Sequence, residues 1–499
     1  MNVDRYPLPE TEPEKIGLSR RHILDFIDDI EQKRINMHSF LMIRHGRIFG
    51  EGYWKPFHQG YLHRLYSVSK SFTSTAVGLL CDEGKIAVTD KVIKYFPEYD
   101  ESKVDPRVAK CTLRDLLTMS SPFICPAYIF PDGSPREKWI ESFFTVTPEK
   151  EPGTHFDYDT CGTYILDVIV ERVSGKSLME YLVEKFGADF GFTGTTWCVQ
   201  SPDGHSWGGS GVMATTRDLG KVGLLWLRGG EWNGRQVLSR EYVKEATSRQ
   251  IENYETDPNY GGFGYGYQIW LTRDNSFSFR GMGSQLAIMV PDKDLVFVCT
   301  GDTQGRDDAD GVIYELLWKH IVNNLTDGEV RLSESAKREL DLRLPALTLP
   351  WAEGAYTSPY IDRYNGKKFE LEENPMGIRW FRLLFDGSYG ELRYENAQGE
   401  KKYRFGLGMN VEDRFPQEGY FGGKIFEPVN GYYISHGSGA WISPDMFRLQ
   451  VLVTDISLGN MTADFIFTDG GKKVRVRMRK NAEWFLDEYN GDACGALAE

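Results

Sequence analysis

The 499-residue sequence predicts an α+β first domain, in which helices are mixed with an antiparallel sheet, followed by a smaller all-β domain. Three observations predict it. Before about residue 350, helix-period apolar patterns alternate with short strand-like runs. After Trp351 the pattern changes to short alternating strands separated by turns. Between them the charged stretch 333–343 and Leu344-Pro345-Ala346-Leu347 read as a linker, which sets expected domains at 1–345 and 350–499.

The elements follow in order. Residues 39–44 and 47–52 form a hairpin pattern, and a helix opens at Ser67 and runs through the apolar stretch 72–80. A short helix is expected at 113–118. Helical spacing returns at Tyr164, Ile165, Ile169, Val170 and Val173, stopping at Gly175, and again over 219–227 before Gly229-Gly230. Strands are expected at 266–271, 276–280, 286–290 and 295–300, the last two parted by the polar turn Pro291-Asp292-Lys293-Asp294. A last helix at 311–323 completes the first part. In the second part the strands are 379–385, 390–395, 431–435, 447–453, 462–468 and 473–479, a small barrel or sandwich.

Composition narrows the function. A hydrophobic content of 41% with 13% aromatic residues is that of an ordinary globular protein. The formal charge of −14 argues against nucleic acid, whose binders need basic surface to release counterions. The N-terminal segment lacks an apolar core of the signal-peptide kind, and no run approaches the roughly 18 apolar residues of a membrane span, so no membrane partner and a cytoplasmic location are expected. Seven cysteines without a C-x-x-C pair read as small core residues. Nine histidines in no ligand spacing imply no metal, and no cofactor is called for.

The chemistry resides in Ser67-Val68-Ser69-Lys70. Residues three apart on a helix share a face, so the Lys70 amine can reach the Ser67 hydroxyl and act as its base. A cation in the first helical turn opposes the macrodipole, and desolvation further favours the neutral amine that can accept a proton. The plainer reading makes Ser67 a helix cap and Lys70 a solvated side chain. The surrounding R-L-Y-S-V-S-K-S-F-T-S-T-A-V-G-L-L, mostly small or apolar, argues against it, because buried lysines are uncommon unless paired or functional.

From here the order of motifs resembles the serine hydrolases of the class C β-lactamase, penicillin-binding and carboxylesterase superfamily. After S-V-S-K come residues 78–99, L-R-D-L-L-T-M-S-S at 113–121, E-P-G-T-H-F-D-Y-D-T at 151–160, W-G-G-S-G-V-M-A-T-T-R-D-L-G-K-V-G at 207–223 and G-M-G-S-Q at 281–285. The resemblance spans about residues 10 to 325, and the part beginning W-A-E-G-A-Y looks like a lipocalin-like β-domain. It implies a β-lactamase/transpeptidase-like fold, an antiparallel sheet flanked by helices plus an all-helical subdomain, with Ser67 as acylated nucleophile, Lys70 as base and Tyr158 as the phenol that passes a proton to the leaving group. Tyr158 follows the Pro152-Gly153 turn and precedes a helix, a common position for a site residue. A nearby cation such as Lys70 is expected to lower its pKa, with Asp157 and Asp159 pointing away.

Acyl transfer needs oxyanion donors, for which the backbone amides of Ser67 and Met282 are expected. Candidate substrate contacts are Tyr128, Trp207, Arg280 and Gly283; for Arg280 a solvated strand position competes with a grip on a substrate carboxylate. Tyr158-Asp159-Thr160 departs from the tyrosine-x-asparagine of β-lactam-recognising members, and the third motif, G-M-G-S-Q, has neither K-T-G nor H-x-G. G-M-G-S-Q is similar instead to the esterase and amidase branch. The expected activity is hydrolysis of a small ester, amide or short peptide through an acyl-enzyme. The alternatives are a D-amino-acid peptidase or penicillin-binding-like enzyme, and a catalytically silent binding protein.

Overall fold

The computed structural model describes residues 6–124, 138–192, 196–416, 432–483 and 485–498. Its fold is mixed α+β and divides into two compact units, 1–348 and 349–499.

The first unit is built on a six-stranded antiparallel sheet in the order Arg47–Tyr53, Met37–Arg44, Leu295–Gly301, Gln285–Val290, Phe277–Gly281, Trp270–Leu271. Every residue of Met37–Arg44 and of Leu295–Gly301 is buried, because helices cover both faces. On one face Phe26 of the helix Arg20–Gln32 packs edge-on against Phe40 and Phe297. On the other, the helix Thr216–Leu227 presents Gly220 to Leu41 and Ile43, and Gly223 to Val296 and Met289. A methyl group at Gly220 would stand 2.6 Å from Leu41, so the glycine lets helix and sheet approach. That helix is started by a capping box between Thr215 and Asp218.

The hairpin 39–44/47–52 and the strands at 276–280, 286–290 and 295–300 lie where the pattern predicts them, within a residue or two. Residues 266–271 do not form a full strand. Only Trp270–Leu271 pairs, because Gln268 (φ 61°) turns the backbone and its amide and side chain bind the Leu116 and Leu117 carbonyls. The charged stretch 333–343, expected as linker, is the helix Glu334–Arg343, with Ala336 and Leu340 buried and Arg21–Glu339 and Arg343–Glu31 ion pairs to the helix Arg20–Gln32.

The helical part contains Ser69–Asp82, Thr160–Ser174 and Leu178–Phe186. In Ser69–Asp82 all residues from Ser69 to Leu80 are buried, which accounts for the absence of a polar stripe. Thr160–Ser174 is capped by the Asp159 carboxylate on the Gly162 amide (2.9 Å) and stops at Gly175 in the left-handed region (φ 71°).

In the second unit nine strands close into a barrel: Gly399–Leu407, Tyr389–Asn396, Trp380–Asp386, Lys368–Leu371, Gly491–Leu497, Lys473–Ala482, Leu458–Thr468, Met446–Thr454 and Tyr433–Ser443. A parallel pairing of Gly406 and Leu407 with Ser438 and Gly439 completes the ring, and Val411–Phe415 adds at its edge. Alternation sets the faces: Val474, Val476 and Met478 are buried, while Arg475, Arg477 and Arg479 gather on Asp492. The interior holds packed rings, with Phe467 stacked on Tyr364 at 4.0 Å between centres and Phe465 tilted against Phe381 at 4.8 Å. Four strands, at 368–371, 399–407, 411–415 and 491–497, have no expectation in the sequence.

Of the cysteines, Cys111, Cys161 and Cys299 are buried, but Cys494 is exposed on the final strand, against its reading as a core residue; Cys125 lies outside the described residues. Among the described residues no helix is long and apolar enough to cross a membrane, and no group of three or more His, Cys, Asp or Glu side chains is arranged to hold a metal ion.

Candidate active site

Ser67 does not open the helix as the spacing predicts. It lies in a 3-10 turn, Tyr66–Val68, that feeds the helix at Ser69. The turn is sharp because Tyr66 has φ 47°, a conformation that a bulky residue adopts at a cost of roughly 1–2 kcal/mol. The buried guanidinium of Arg64 lies 4.4 Å from the Tyr66 ring centre and holds it there. The consequence is a half-buried Ser67 among fully buried neighbours.

The three-residue spacing survives this shift. Lys70 Nζ donates to Ser67 Oγ at 2.9 Å and to the Gly209 carbonyl at 2.7 Å, with the lysine 1% exposed. Gly209 belongs to the W-G-G-S-G segment, threaded between Ser69–Asp82 and Thr160–Ser174. A methyl group at Gly208 would stand 2.5 Å from Thr73 Oγ1, and one at Gly209 would stand 2.7 Å from Thr160. Only glycines bring this carbonyl to the lysine. Arg64 also donates to the Ser210 carbonyl and hydroxyl (3.1 Å each), tying this segment to the turn before Ser67.

Tyr158 completes the cluster. The Lys70 amine lies 5.0 Å from its ring centre, and the ring stacks on Trp270 at 5.7 Å. Burial pushes its phenol up to about 12, while a hydrogen bond to Ser67 and the charge of Arg280 pull the other way and Glu255 pushes further up. The net direction is opposite to the expected lowering: enclosure by Met119, Phe156, Tyr265 and Trp270 outweighs the nearby charges, and Tyr158 is a neutral phenol at neutral pH. The two flanking aspartates are engaged elsewhere, Asp157 with Lys150 and Asp159 with the Gly162 amide.

The strand Phe277–Gly281 ends against the Ser67 turn. A methyl group on Gly281 would lie 2.4 Å from the Leu65 carbonyl oxygen and 3.1 Å from the Ser67 amide nitrogen. Met282 and Gly283 (φ 77°) follow, both half-buried. Gln285 locks this turn by donating to the carbonyls of Met282 (2.9 Å) and Gly301 (2.7 Å) and accepting from the Gly301 amide (3.1 Å).

The remaining expected contacts are dispersed. Tyr128 lies outside the described residues. Trp207 is fully buried, packed against Trp139 and Arg64. Arg280 is not a solvated strand arginine: its side chain is 15% exposed, pairs with Asp310 at 2.9 Å and lies 3.5 Å from the Tyr260 ring centre and 4.7 Å from that of Trp270. Gly209, Gln285 and Trp270 have no assigned place in the sequence reading. The two glycines of W-G-G-S-G were the signal for the first, and Gln285 closes the G-M-G-S-Q motif.

The profile of the beta-lactamase family matches residues 25–317. The chain belongs to the beta-lactamase family. It is a hydrolase of the beta-lactamase superfamily. Among curated relatives it is 29% identical over 282 residues, 52% of this chain and 70% of the relative, to a 6-aminohexanoate-dimer hydrolase of Paenarthrobacter ureafaciens. Two solved structures share the fold. One is a Bacillus anthracis protein provisionally named a 6-aminohexanoate-dimer hydrolase (21% identity, 65% of this chain and 89% of that one, TM-score 0.53). The other is a penicillin-binding protein homologue of Caulobacter crescentus (15%, 61% and 99%, TM-score 0.51).

Proposed function

We propose that the chain is a serine hydrolase that cleaves a small ester or amide through an acyl-enzyme on Ser67. The supporting observation is the Lys70 amine 2.9 Å from the Ser67 hydroxyl, the lysine buried and the serine half-buried. In this reading a neutral Lys70 takes the hydroxyl proton as the oxygen attacks the carbonyl carbon. The tetrahedral oxyanion meets the amides of Ser67 and Met282, for which the approach of Gly281 to the Ser67 nitrogen provides the setting. Lys70 gives the proton through Tyr158 to the leaving alcohol or amine, which departs as the carbonyl re-forms. Water then attacks the acyl-enzyme by the same route and the acid is released. A phenol held neutral suits a donor and relay, which leaves the base role to the lysine.

The substrate class is a short, linear ester or amide, in keeping with the relative from P. ureafaciens that is named a hydrolase of 6-aminohexanoate dimer. A D-peptidase reading loses its discriminating feature, since Arg280 spends its charge on Asp310. The test is a fluorophosphonate probe followed by peptide mass mapping, with a panel of short nitrophenyl esters, 6-aminohexanoate dimer, nitrocefin and D-alanyl amides. We expect one adduct on the Ser67 peptide, its loss in Ser67→Ala, and turnover of the esters or the linear amide. Absence of both labelling and turnover in the native chain would reject the proposal.

A further inference from the structure

Arg280 is a half-buried cation that the acyl-transfer route above does not use. Three contacts locate it. Its guanidinium donates to Asp310 Oδ2 at 2.9 and 3.3 Å, and Asp310 is itself fixed by the Ser284 hydroxyl at 2.6 Å, with Thr303 next in the chain of hydroxyls at 2.7 Å. The same guanidinium lies over Tyr260 and over Trp270. Trp270 in turn carries the stacked ring of Tyr158, with an interplanar angle of 23°.

We propose that the Arg280–Asp310 pair is a positioning device for Tyr158: it steadies Trp270, on which the phenol rests, and the balance of its two charges sets how readily Tyr158 gives up its proton. The inference rests on the proposed role of Tyr158 as relay and adds what tunes it.

The surroundings of Tyr158 make this pair the adjustable element. From the helix Ser69–Asp82 it faces Lys70, and from the preceding turn the Ser67 hydroxyl. From the segment between Ile251 and Trp270 it meets Glu255, Tyr265 and the Trp270 indole, and from the strand Phe277–Gly281 the charge of Arg280. Met119 and Phe156 close the remainder with apolar surface. Asp157 is neutralised by Lys150, and Asp159 caps a helix. Lys70 and Ser67 are the groups that exchange protons with the phenol, so a fixed bias has to come from elsewhere. An arginine, charged at every working pH, supplies one through a water-poor aromatic layer where charge acts over longer distance than in water.

The pair predicts shifts of opposite sign. Removing the cation leaves Asp310 uncompensated and makes the phenol a weaker acid, whereas neutralising the anion leaves Arg280 uncompensated and makes it a stronger one. A purely structural role would move both variants the same way, or neither. The experiment places a fluorinated tyrosine at position 158 of the full chain and follows its fluorine resonance against pH in the native background and in Arg280→Gln, Arg280→Lys and Asp310→Asn. We expect Arg280→Gln to raise the midpoint by about one unit, a tenfold change in acid strength, Asp310→Asn to lower it by a similar amount, and Arg280→Lys to stay near the native value. Shifts of equal sign, or no shift, in Arg280→Gln and Asp310→Asn overturn the proposal. If Arg280→Gln fails to fold by circular dichroism, a midpoint in Asp310→Asn that is unchanged or raised overturns it alone.

The titration needs no turnover, so it can fail while Ser67 is still acylated, or succeed in a chain that no ester acylates. Kinetics add a second reading. Esters with poor alcohol leaving groups depend on proton donation and should lose about tenfold more kcat/KM in Arg280→Gln than nitrophenyl esters do.

Discussion

Gly281→Ala tests whether the end of the strand Phe277–Gly281 and the Ser67 turn form one rigid unit. Its new methyl carbon would lie 2.4 Å from the Leu65 carbonyl oxygen, against an ordinary contact beginning near 3.4 Å, and 3.1 Å from both the Ser67 nitrogen and the Gln285 Cβ. The first neighbour is backbone and cannot swing away, so the strand and the turn must separate by about 1 Å. Overpacking of this kind costs about 1–3 kcal/mol of stability. A displacement of that size between the two proposed oxyanion donors would cost about 10²-fold in rate. The assay is the second-order rate of fluorophosphonate labelling at Ser67, with a thermal melt beside it. We expect labelling to slow by about 10²-fold and the melting temperature to fall by a few degrees. Labelling within about twofold of native, in a chain that melts normally, would refute the claim that this glycine seats the oxyanion donors.

Three further outcomes are expected. Asp167 is fully buried, with neither carboxylate oxygen in a well-formed hydrogen bond, and burial foremost, then the charge of Glu171, pushes its pKa well up, against a weak pull from the nearby Gly208 amide. The folded chain keeps this proton while the unfolded chain releases it above about pH 4, so stability falls as pH rises past that value; Asp167→Asn should be the more stable protein at pH 7 by about 1–3 kcal/mol, with a flatter dependence between pH 5 and 8 in urea melts, and equal slopes for both proteins would refute this. His63 shows the opposite sign: its Nδ1 donates to the Arg64 carbonyl, its Nε2 meets His38, and burial lowers it to about 4, so the unfolded chain takes up a proton first and about 3 kcal/mol is lost as pH falls from 6.5 to 4; His63→Asn should flatten that acid limb. In the second unit Phe465→Ala should cost about 3–5 kcal/mol, because the ring is fully buried against Phe381 and Phe447; a change below 1 kcal/mol in a denaturant melt would mean that the barrel interior is not packed as described.

Much of the first unit was legible because both of its covered strands and its buried helix carry long apolar runs, and a run such as 295–300 admits few other fates. The strand expected at 266–271 failed for a local reason: Gln268 finds better partners in the Leu116 and Leu117 carbonyls than in a sheet ladder. The barrel was read in part. Strands such as Gly399–Leu407, with Glu400, Lys402 and Arg404 exposed at alternate positions, keep one face in water and offer a weak apolar signal. The charged helix Glu334–Arg343 was missed because two apolar residues, Ala336 and Leu340, suffice to seat it.

By itself the sequence determined the pairing of Ser67 with Lys70, since three residues of local chain can bring hydroxyl and amine together whether they stand in a 3-10 turn or in the first turn of an α-helix. It also determined that Tyr158 precedes a capped helix and that glycines flank Met282. Only the tertiary structure decided what those groups meet. The Gly209 carbonyl reaches Lys70 from 139 residues away, Trp270 stacks on Tyr158, and Asp310 claims Arg280. The physical reason is that proton affinity and orientation are set by whatever closes around a group, and closure is made by segments distant in the chain.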